Sequence, residues 1–272
     1  MLKKLIWYDM KRGYNENAIK LVIPVILAFL FCVDFSMKEK IIYSDTLAGI
    51  GDYLMYCLGG MKIYIPSPVD KFEFPVKWIL YYSLLLYFSM QYMVKDMHGM
   101  GRQMIIRAKK RKWFWYSKII WNISFVFLWT IIFHVTVLLY CIVKGISLKL
   151  YIHADTINYM LQMWEHYEPV EPDVLLVTEL MALAMIIAIE FVGMAMVLFL
   201  KPQISYLVLE IYLIASAYFV FPVFAGNYMM PLRNAGIIEN GWELYQGIAA
   251  MLLIGVIGIK IGSDRFQRYN IE

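Results

Sequence analysis

Six long apolar runs restrict what this sequence can fold into. They span Ala18 to Phe35, Val76 to Val94, Ile119 to Val143, Val174 to Leu200, Ile204 to Ala225 and Leu244 to Ile261. A helix rises about 1.5 Å per residue, so roughly 17–25 apolar residues cross the ~30 Å hydrocarbon core of a bilayer. Each run reaches that length. The composition agrees: only 17% of residues are charged and 61% are hydrophobic, against roughly a quarter charged in a soluble domain. The expectation is an all-α, polytopic membrane protein with six transmembrane helices, residues 1–272 forming a single transmembrane domain. Runs four and five are separated only by Lys201, Pro202 and Gln203. Together they far exceed one crossing, and Pro202 lacks a backbone N–H and disfavours helix before it, so a tight hairpin is expected.

Lysine and arginine set the orientation, because cytoplasmic loops retain them. With the N-terminus inside, sixteen fall in inside segments, among them Lys3, Lys4, Lys11, Arg12, Lys95 to Lys118, Lys201, Lys260, Arg265 and Arg268, and six fall outside: Lys38, Lys40, Lys62, Lys71, Lys149 and Arg233. Asp70, Glu73, Glu165, Glu168, Glu171 and Asp173 lie outside. Both termini therefore face the cytoplasm, which places the chain in a plasma membrane. No cleavable signal peptide is visible: the first residues are too polar and no small-residue cleavage site follows the first run.

The densest charge is in "GMGRQMIIRAKKRKWFWYSK", residues 99–118, where seven of twenty residues are basic. In a membrane chain this reads as an inside anchor rather than a nucleic-acid patch. Lys109 to Lys112 face anionic lipid headgroups, and Trp113, Phe114, Trp115 and Tyr116 form an interfacial aromatic belt. Just before it, Met97, Met100 and Met104 recur on one helical face, with Lys95, Arg102, Gln103 and Arg107 largely elsewhere. This is a short helix under the membrane offering an adaptable methionine ridge, or an ordinary interfacial turn. Gly99 and Gly101 weaken the helix.

Other segments read as interfacial. Residues 2–12 form a modestly amphipathic helix whose apolar face Asp9 interrupts. Outside, Ser44 or Asp45 caps a helix carrying Leu47, Ile50, Leu54 and Leu58, ended by Gly59 and Gly60. Asp155 caps another carrying Ile157, Met160, Leu161 and Trp164. These two are a gate, or braces in the headgroup layer. After Pro222, "GNYMMPLRNAGIIENGW" is broken but not very polar, the pattern of a segment dipping partway into the membrane; its backbone must be buried in protein or line water. Ala184 with Ala188, and Gly258 with Gly262, permit close helix packing.

Charges inside the runs cost several kcal/mol unless paired or wet. Glu190 and Glu210 fall at similar depths, differing by a few ångströms, and face the bundle interior as a substrate pathway or as structural polar contacts. His134, Tyr206, Tyr212 and Ser216 are their candidate partners. Glu179 lies near the outer surface. Cys32, Cys57 and Cys141 are far apart in sequence, so no disulfide framework is expected, and no metal-ligand spacing exists. No G-x-x-x-x-G-K-[ST], H-E-x-x-H or G-x-S-x-G occurs, which argues against a nucleotide site or an intramembrane enzyme.

The whole layout resembles the membrane subunit of type-2 ABC exporters: an N-terminal elbow helix, six spans, a basic segment between spans two and three, a near-absent loop between four and five, and an outside re-entrant segment before span six. "GDYLMYCLGG", "YIPSP" and "GMGRQMIIRAKKRKW" resemble the Gram-positive branch that exports amphipathic toxin peptides of the phenol-soluble-modulin type. The resemblance implies a bacterial permease without catalysis of its own or bound cofactors. Two copies of a separate ABC ATPase would supply ATP and magnesium, and a second permease copy or paralogue would complete the pore. It assigns ATPase coupling to Lys95, Met97, Met100, Arg102, Gln103, Met104 and Arg107, with a smaller contact at Lys201, Pro202 and Gln203. The cargo would be a hydrophobic or amphipathic peptide, with drugs or lipids as alternatives. An ion- or proton-driven carrier using Glu190 and Glu210 is the competing reading.

Overall fold

The computed structural model describes residues 2–43, 47–66, 71–99, 101, 103, 111–162 and 168–268, without the side chain of His98. Among these residues the chain is all-helical, with three isolated β-bridges and no strand. The longer helices are α1 (Leu2–Asn17), α2 (Val22–Ile42), α3 (Ile50–Leu58), α4 (Val76–His98), α5 (Arg111–Lys144), α6 (Ala154–Leu161), α7 (Pro172–Met196), α8 (Pro202–Tyr218) and α9 (Leu244–Gln267). Short 3-10 turns cover Ala18–Leu21, Ala225–Met229 and Pro231–Arg233. Four helical stretches are long and apolar enough to cross a membrane: Leu2–Ile42, Arg111–Lys144, Pro172–Met196 and Leu244–Gln267. α4 falls short because Tyr81, Tyr82, Tyr87, Tyr92, Ser83, Ser89 and Gln91 dilute its apolar run, and α8 has only 17 residues.

Local chemistry fixes several boundaries. Lys201 is extended, Pro202 starts α8, and Ser205 N–H donates back to the Lys201 carbonyl, so the expected hairpin between runs four and five forms. Pro172 likewise opens α7, where a missing N–H costs nothing. At α9, Glu243 N–H donates to Gln246 Oε1 at 3.0 Å. Gly60 adopts φ +80 just after α3, as the expected stop requires. The cap of α3 differs from expectation. Ser44 and Asp45 lie outside the described residues, and Gly49 N–H donates to Asp52 Oδ2 at 2.8 Å instead.

α7 and α9 form an intimate pair. Gly255 lies against Ala188, Gly258 sits against the backbone of Phe191 and Val192, and Gly262 lies under the Trp115 ring. No side chain fits at Gly258 or Gly262, which is why the small residues are there. Outward, Phe29 and Leu30 of α2, Ile131 and Leu139 of α5, Leu207 and Ile211 of α8, and Leu253 and Val256 of α9 are exposed. An apolar surface of this extent is compatible with a membrane protein.

Two expected surface elements are interior. α3 is buried along its whole length, so it does not rest in the headgroup layer. Phe114 and Trp115 are also buried. They pack against Phe266 (Phe114 stacks on it at 5.5 Å) rather than facing an interface, because α5 already begins at Arg111. The segment after Pro222 buries residues 225–233 continuously. Its broken backbone is enclosed by protein, as such backbone must be in an apolar surround.

Candidate functional site

The N-terminus of α5 and the C-termini of α4, α7 and α9 meet at one end of the bundle, with α1 packed across them. Leu5, Met93, Met97, Phe114, Trp115, Met194, Leu198 and Phe266 form a separate apolar cluster there. This end carries most of the Lys and Arg of the described helices. α1 buries Leu5, Asp9, Gly13 and Asn17, one residue per turn and therefore one face. Asp9, the residue that spoils an apolar stripe, is thus turned into the protein.

Asp9 finds a buried counterion. Lys118 Nζ lies 2.5 Å from Asp9 Oδ1 and 2.5 Å from Asp96 Oδ2, and all three side chains are almost fully buried. The ammonium also sits 4.6 Å from the ring centroids of Tyr92 and Phe114. Tyr92 OH donates to Asp9 Oδ1 at 3.0 Å, and Ser117 Oγ donates to Oδ2. Arg12 reaches the other Asp96 oxygen at 3.0 Å, Glu16 at 2.7 Å and Tyr8 OH. Lys95 closes the periphery on Glu16 at 3.0 Å. Three acids and three bases therefore balance across α1, α4 and α5. Burying unpaired charges costs several kcal/mol each, so the cluster holds only while all partners stay together.

The segment assigned to coupling starts at this cluster. Gly99 N–H donates to the Asp96 carbonyl at 3.1 Å. Gly101 lies against Asp96, where a Cβ would collide with both its carboxylate and its carbonyl. The glycines that weaken a helix here thus let the chain turn back onto the cluster. Lys95 and Gln103 are exposed, whereas Met97 is buried in the end cluster and does not belong to an exposed ridge. Met100, Arg102, Met104, Arg107, Lys109 and Lys110 lie outside the described residues. Lys201 and Gln203 are exposed in the turn before α8 and Pro202 is half-buried. Arg265 of α9 lies 5.0 Å from the Phe199 ring centroid beside that turn.

The carboxylates within the helices occupy separate polar contacts. Glu190 is fully buried, accepting from Ser89 Oγ and from Asn122 Nδ2 at 3.1 Å. Glu210 accepts from Ser83 Oγ at 2.5 Å, and Tyr206 OH donates to the Ser83 carbonyl at 3.3 Å. The two serines are six residues apart on α4, roughly 9 Å along its axis. Glu190 and Glu210 therefore sit at different levels rather than sharing one. His134 pairs with neither. Its Nε2 is 3.4 Å from Glu179, and its Nδ1 bonds the Thr130 carbonyl at 2.8 Å. Glu179 is mostly buried rather than wetted. Tyr212 and Ser216 bond the Val223 and Leu213 carbonyls.

At the opposite end, two charged residues bond chiefly to backbone and neutral groups. Asp52 Oδ1 accepts from His153 N–H at 2.8 Å and Thr156 Oγ1 at 2.9 Å, while Oδ2 accepts from Gly49 N–H and from His153 Nδ1 at 2.6 Å. Tyr43 OH bonds Thr156, and burial, then the nearby Asp52 carboxylate, pushes its phenol up. Arg233, counted among the outside charges and lying in the broken segment after Pro222, is completely buried. It donates to the carbonyls of Ser216 (2.8 Å), Ala217 (2.7 Å), Met61 (3.2 Å) and Lys62 (3.2 Å), and to Asn227 Oδ1. Ser216 and Ala217 end α8, where the helix dipole favours a cation. Burial lowers this guanidinium to about 10.

The three cysteines are free and buried, and Cys57 neighbours Cys32 across the α2–α3 contact despite their sequence separation. No metal-ligating group of three acid, histidine or cysteine side chains occurs among the described residues. Sequence reasoning missed Asp96, Lys118, Asp52 and Arg233, although a lysine flanked by aromatics at a helix start and an acid on an apolar helical face are visible signals of such pairing. Comparison with protein-family models, curated proteins and solved structures returns no match.

Proposed function

We propose that this chain is the membrane-embedded permease subunit of an ATP-driven exporter, with the basic end cytoplasmic and six helices (α2, α4, α5, α7, α8 and α9) as its crossings. In this reading α1 is the elbow helix. A separate ATPase bears on residues 95–107 and, more weakly, on the Lys201–Gln203 turn, and two permease chains face each other. The observation that supports it is the buried cluster Asp9–Lys118–Asp96–Arg12. A push on the chain leaving Asp96 reaches α1, α4 and α5 at once, because the charges cannot separate cheaply in an apolar interior. Short α8 and tyrosine-rich α4 cross beside longer neighbours, with Tyr81, Tyr82, Ser89 and Tyr92 of α4 buried. The exported cargo is a hydrophobic or amphipathic peptide, with drugs or lipids as alternatives, and anionic headgroups sit at Lys109 to Lys112.

The test is co-purification of the chain with its ATPase. Replacing Met100 and Met104 together by Asp is expected to abolish co-purification while the helical content and melting temperature of the permease hold. Met97 is left intact because it is buried. Unchanged ATPase recovery would reject the coupling role. The carrier reading draws on one observation: Glu210 is half-exposed, with Ser83 and Tyr206 beside its carboxylate. Transport that persists without ATP, collapses with the proton gradient and requires Glu210 would establish that reading instead.

A further inference from the structure

The contact between His134 of α5 and Glu179 of α7 is one hydrogen short. His134 Nδ1 lies 2.8 Å from the Thr130 carbonyl. A carbonyl only accepts, so Nδ1 carries the hydrogen, and in a neutral imidazole Nε2 is then a bare acceptor. Nε2 faces Glu179 Oε2 at 3.4 Å, and an ionised carboxylate is also acceptor-only. Two sets of lone pairs meet there between apolar helices, an arrangement that costs free energy until a hydrogen stands between them. One added proton removes the conflict, whether Nε2 or the carboxyl carries it. Glu179 Oε1 is buried and has no donor among the described residues, so no second hydrogen bond steadies the anion. The two side chains keep 30% and 14% of their surface open, which lets a proton enter and leave.

Among the described residues no other charge faces His134. Tyr81 and Tyr82 of α4 and Cys57 of α3 lie within the field of Glu179, and side chains of these types are ordinarily neutral at pH 7. In α2, Asp34 is held by Lys38 and Lys77, and Glu39 accepts from Tyr53 at 3.4 Å. Arg233 is engaged by carbonyls, and α9 carries no ionisable side chain between Tyr245 and Lys260. Glu190 and Glu210 differ from Glu179, since each accepts from a serine hydroxyl and needs no added proton.

We infer that His134 and Glu179 form a binding site for one exchangeable proton, which ties α5 to α7. Release of the proton to water leaves an Nδ1–H imidazole facing a carboxylate, and the two helices lose that tie. The site lies ten residues before Lys144, where α5 ends, and seven after Pro172, where α7 begins. That is about 15 and 10 Å inside those ends. Just beyond them Ile152 and Val170 exchange backbone hydrogen bonds at 3.0 and 2.9 Å. The proton therefore completes the joint of α5 and α7 inward of that bridge. The inference needs neither an ATPase nor a membrane orientation, so it and the exporter reading can fail separately.

The experiment uses the full chain in neutral detergent micelles between about pH 5 and about pH 9, a range that brackets an ordinary imidazole. Protons bound on acidification are counted by potentiometric titration of wild type and of Glu179→Gln. The glutamine amide donates to the bare Nε2 and keeps the contact without an exchangeable proton, and all other groups cancel in the difference. Wild type is expected to bind about one proton more than Glu179→Gln. Its thermal midpoint should also fall, relative to Glu179→Gln, by at least about 3 °C as pH rises. The sign follows because the tie is present while the pair holds its proton and is lost when the proton leaves. His134→Leu/Glu179→Leu replaces the pair by apolar side chains and should likewise lack the extra proton, which covers the case of a single variant that does not fold. Glu210→Gln should keep it. Equal proton binding by wild type and both pair variants, or the same fall of the midpoint in all three, overturns the site. Loss of the extra proton in Glu210→Gln alone overturns it too, because the proton then belongs to Glu210.

Discussion

The two ends of the molecule bury charge in different ways. At the basic end, Lys118 and Arg12 are matched to the side chains of Asp9 and Asp96, so three helices are joined through groups that can be altered individually. At the opposite end Arg233 is solvated mainly by carbonyls and Asp52 partly by backbone N–H groups. There, charge completes the hydrogen bonding of helix ends and irregular loops. The first arrangement links rigid bodies and breaks as a unit. The second braces loops locally. In the proposed reading, the push of the ATPase enters at the first kind of joint.

Substitutions separate the two. Lys118→Met should cost about 3–5 kcal/mol, because it leaves the buried Asp9 carboxylate without a cation and Asp96 with Arg12 alone. Adding Asp9→Asn and Asp96→Asn should recover most of that, read as the thermal midpoint in detergent. Arg233→Met should cost about 3 kcal/mol by the same measurement, with no acidic partner among the described residues whose neutralisation restores it. Rescue at Arg233, or none at Lys118, would erase the distinction. Asp52→Asn should cost about 2 kcal/mol, since it weakens charge-assisted bonds to His153 and Gly49 while keeping an acceptor. It should raise hydrogen exchange in α3 and residues 147–153 more than in α1. Lys95→Ala removes an exposed pair with Glu16 and should change stability by less than about 0.5 kcal/mol. A larger loss would extend the buried cluster to its rim.

Long apolar runs made the helices legible, because length and hydropathy are local properties. The helix positions followed, as did the hairpin at Pro202 and the Gly258–Gly262 contact. Two runs yield helices that on their own fall short of a crossing, since tyrosines, serines and Gln91 dilute the apolar run of α4 and α8 stops at Tyr218 before an irregular buried segment. Pairings between distant residues were not legible. Nothing in the order of residues says that Lys118 faces Asp9 and not lipid headgroups, that His134 meets Glu179 and not Glu190, or that α3 is swallowed by the core. Asp9 was visible as a flaw in an amphipathic helix, and its partner became visible only when α5 was found to begin at Arg111.

Gln103 gives the most direct access to the central claim. It is exposed two residues after Gly101, which lies against Asp96, and the native cysteines are buried, so Gln103→Cys offers one accessible thiol for a short photo-cross-linker in native membranes. The account predicts a cross-link to a cytoplasmic subunit carrying a G-x-x-x-x-G-K-[ST] phosphate loop, with a yield that changes when ATP is trapped. Cross-linking to lipid alone, or a yield indifferent to nucleotide, would contradict it.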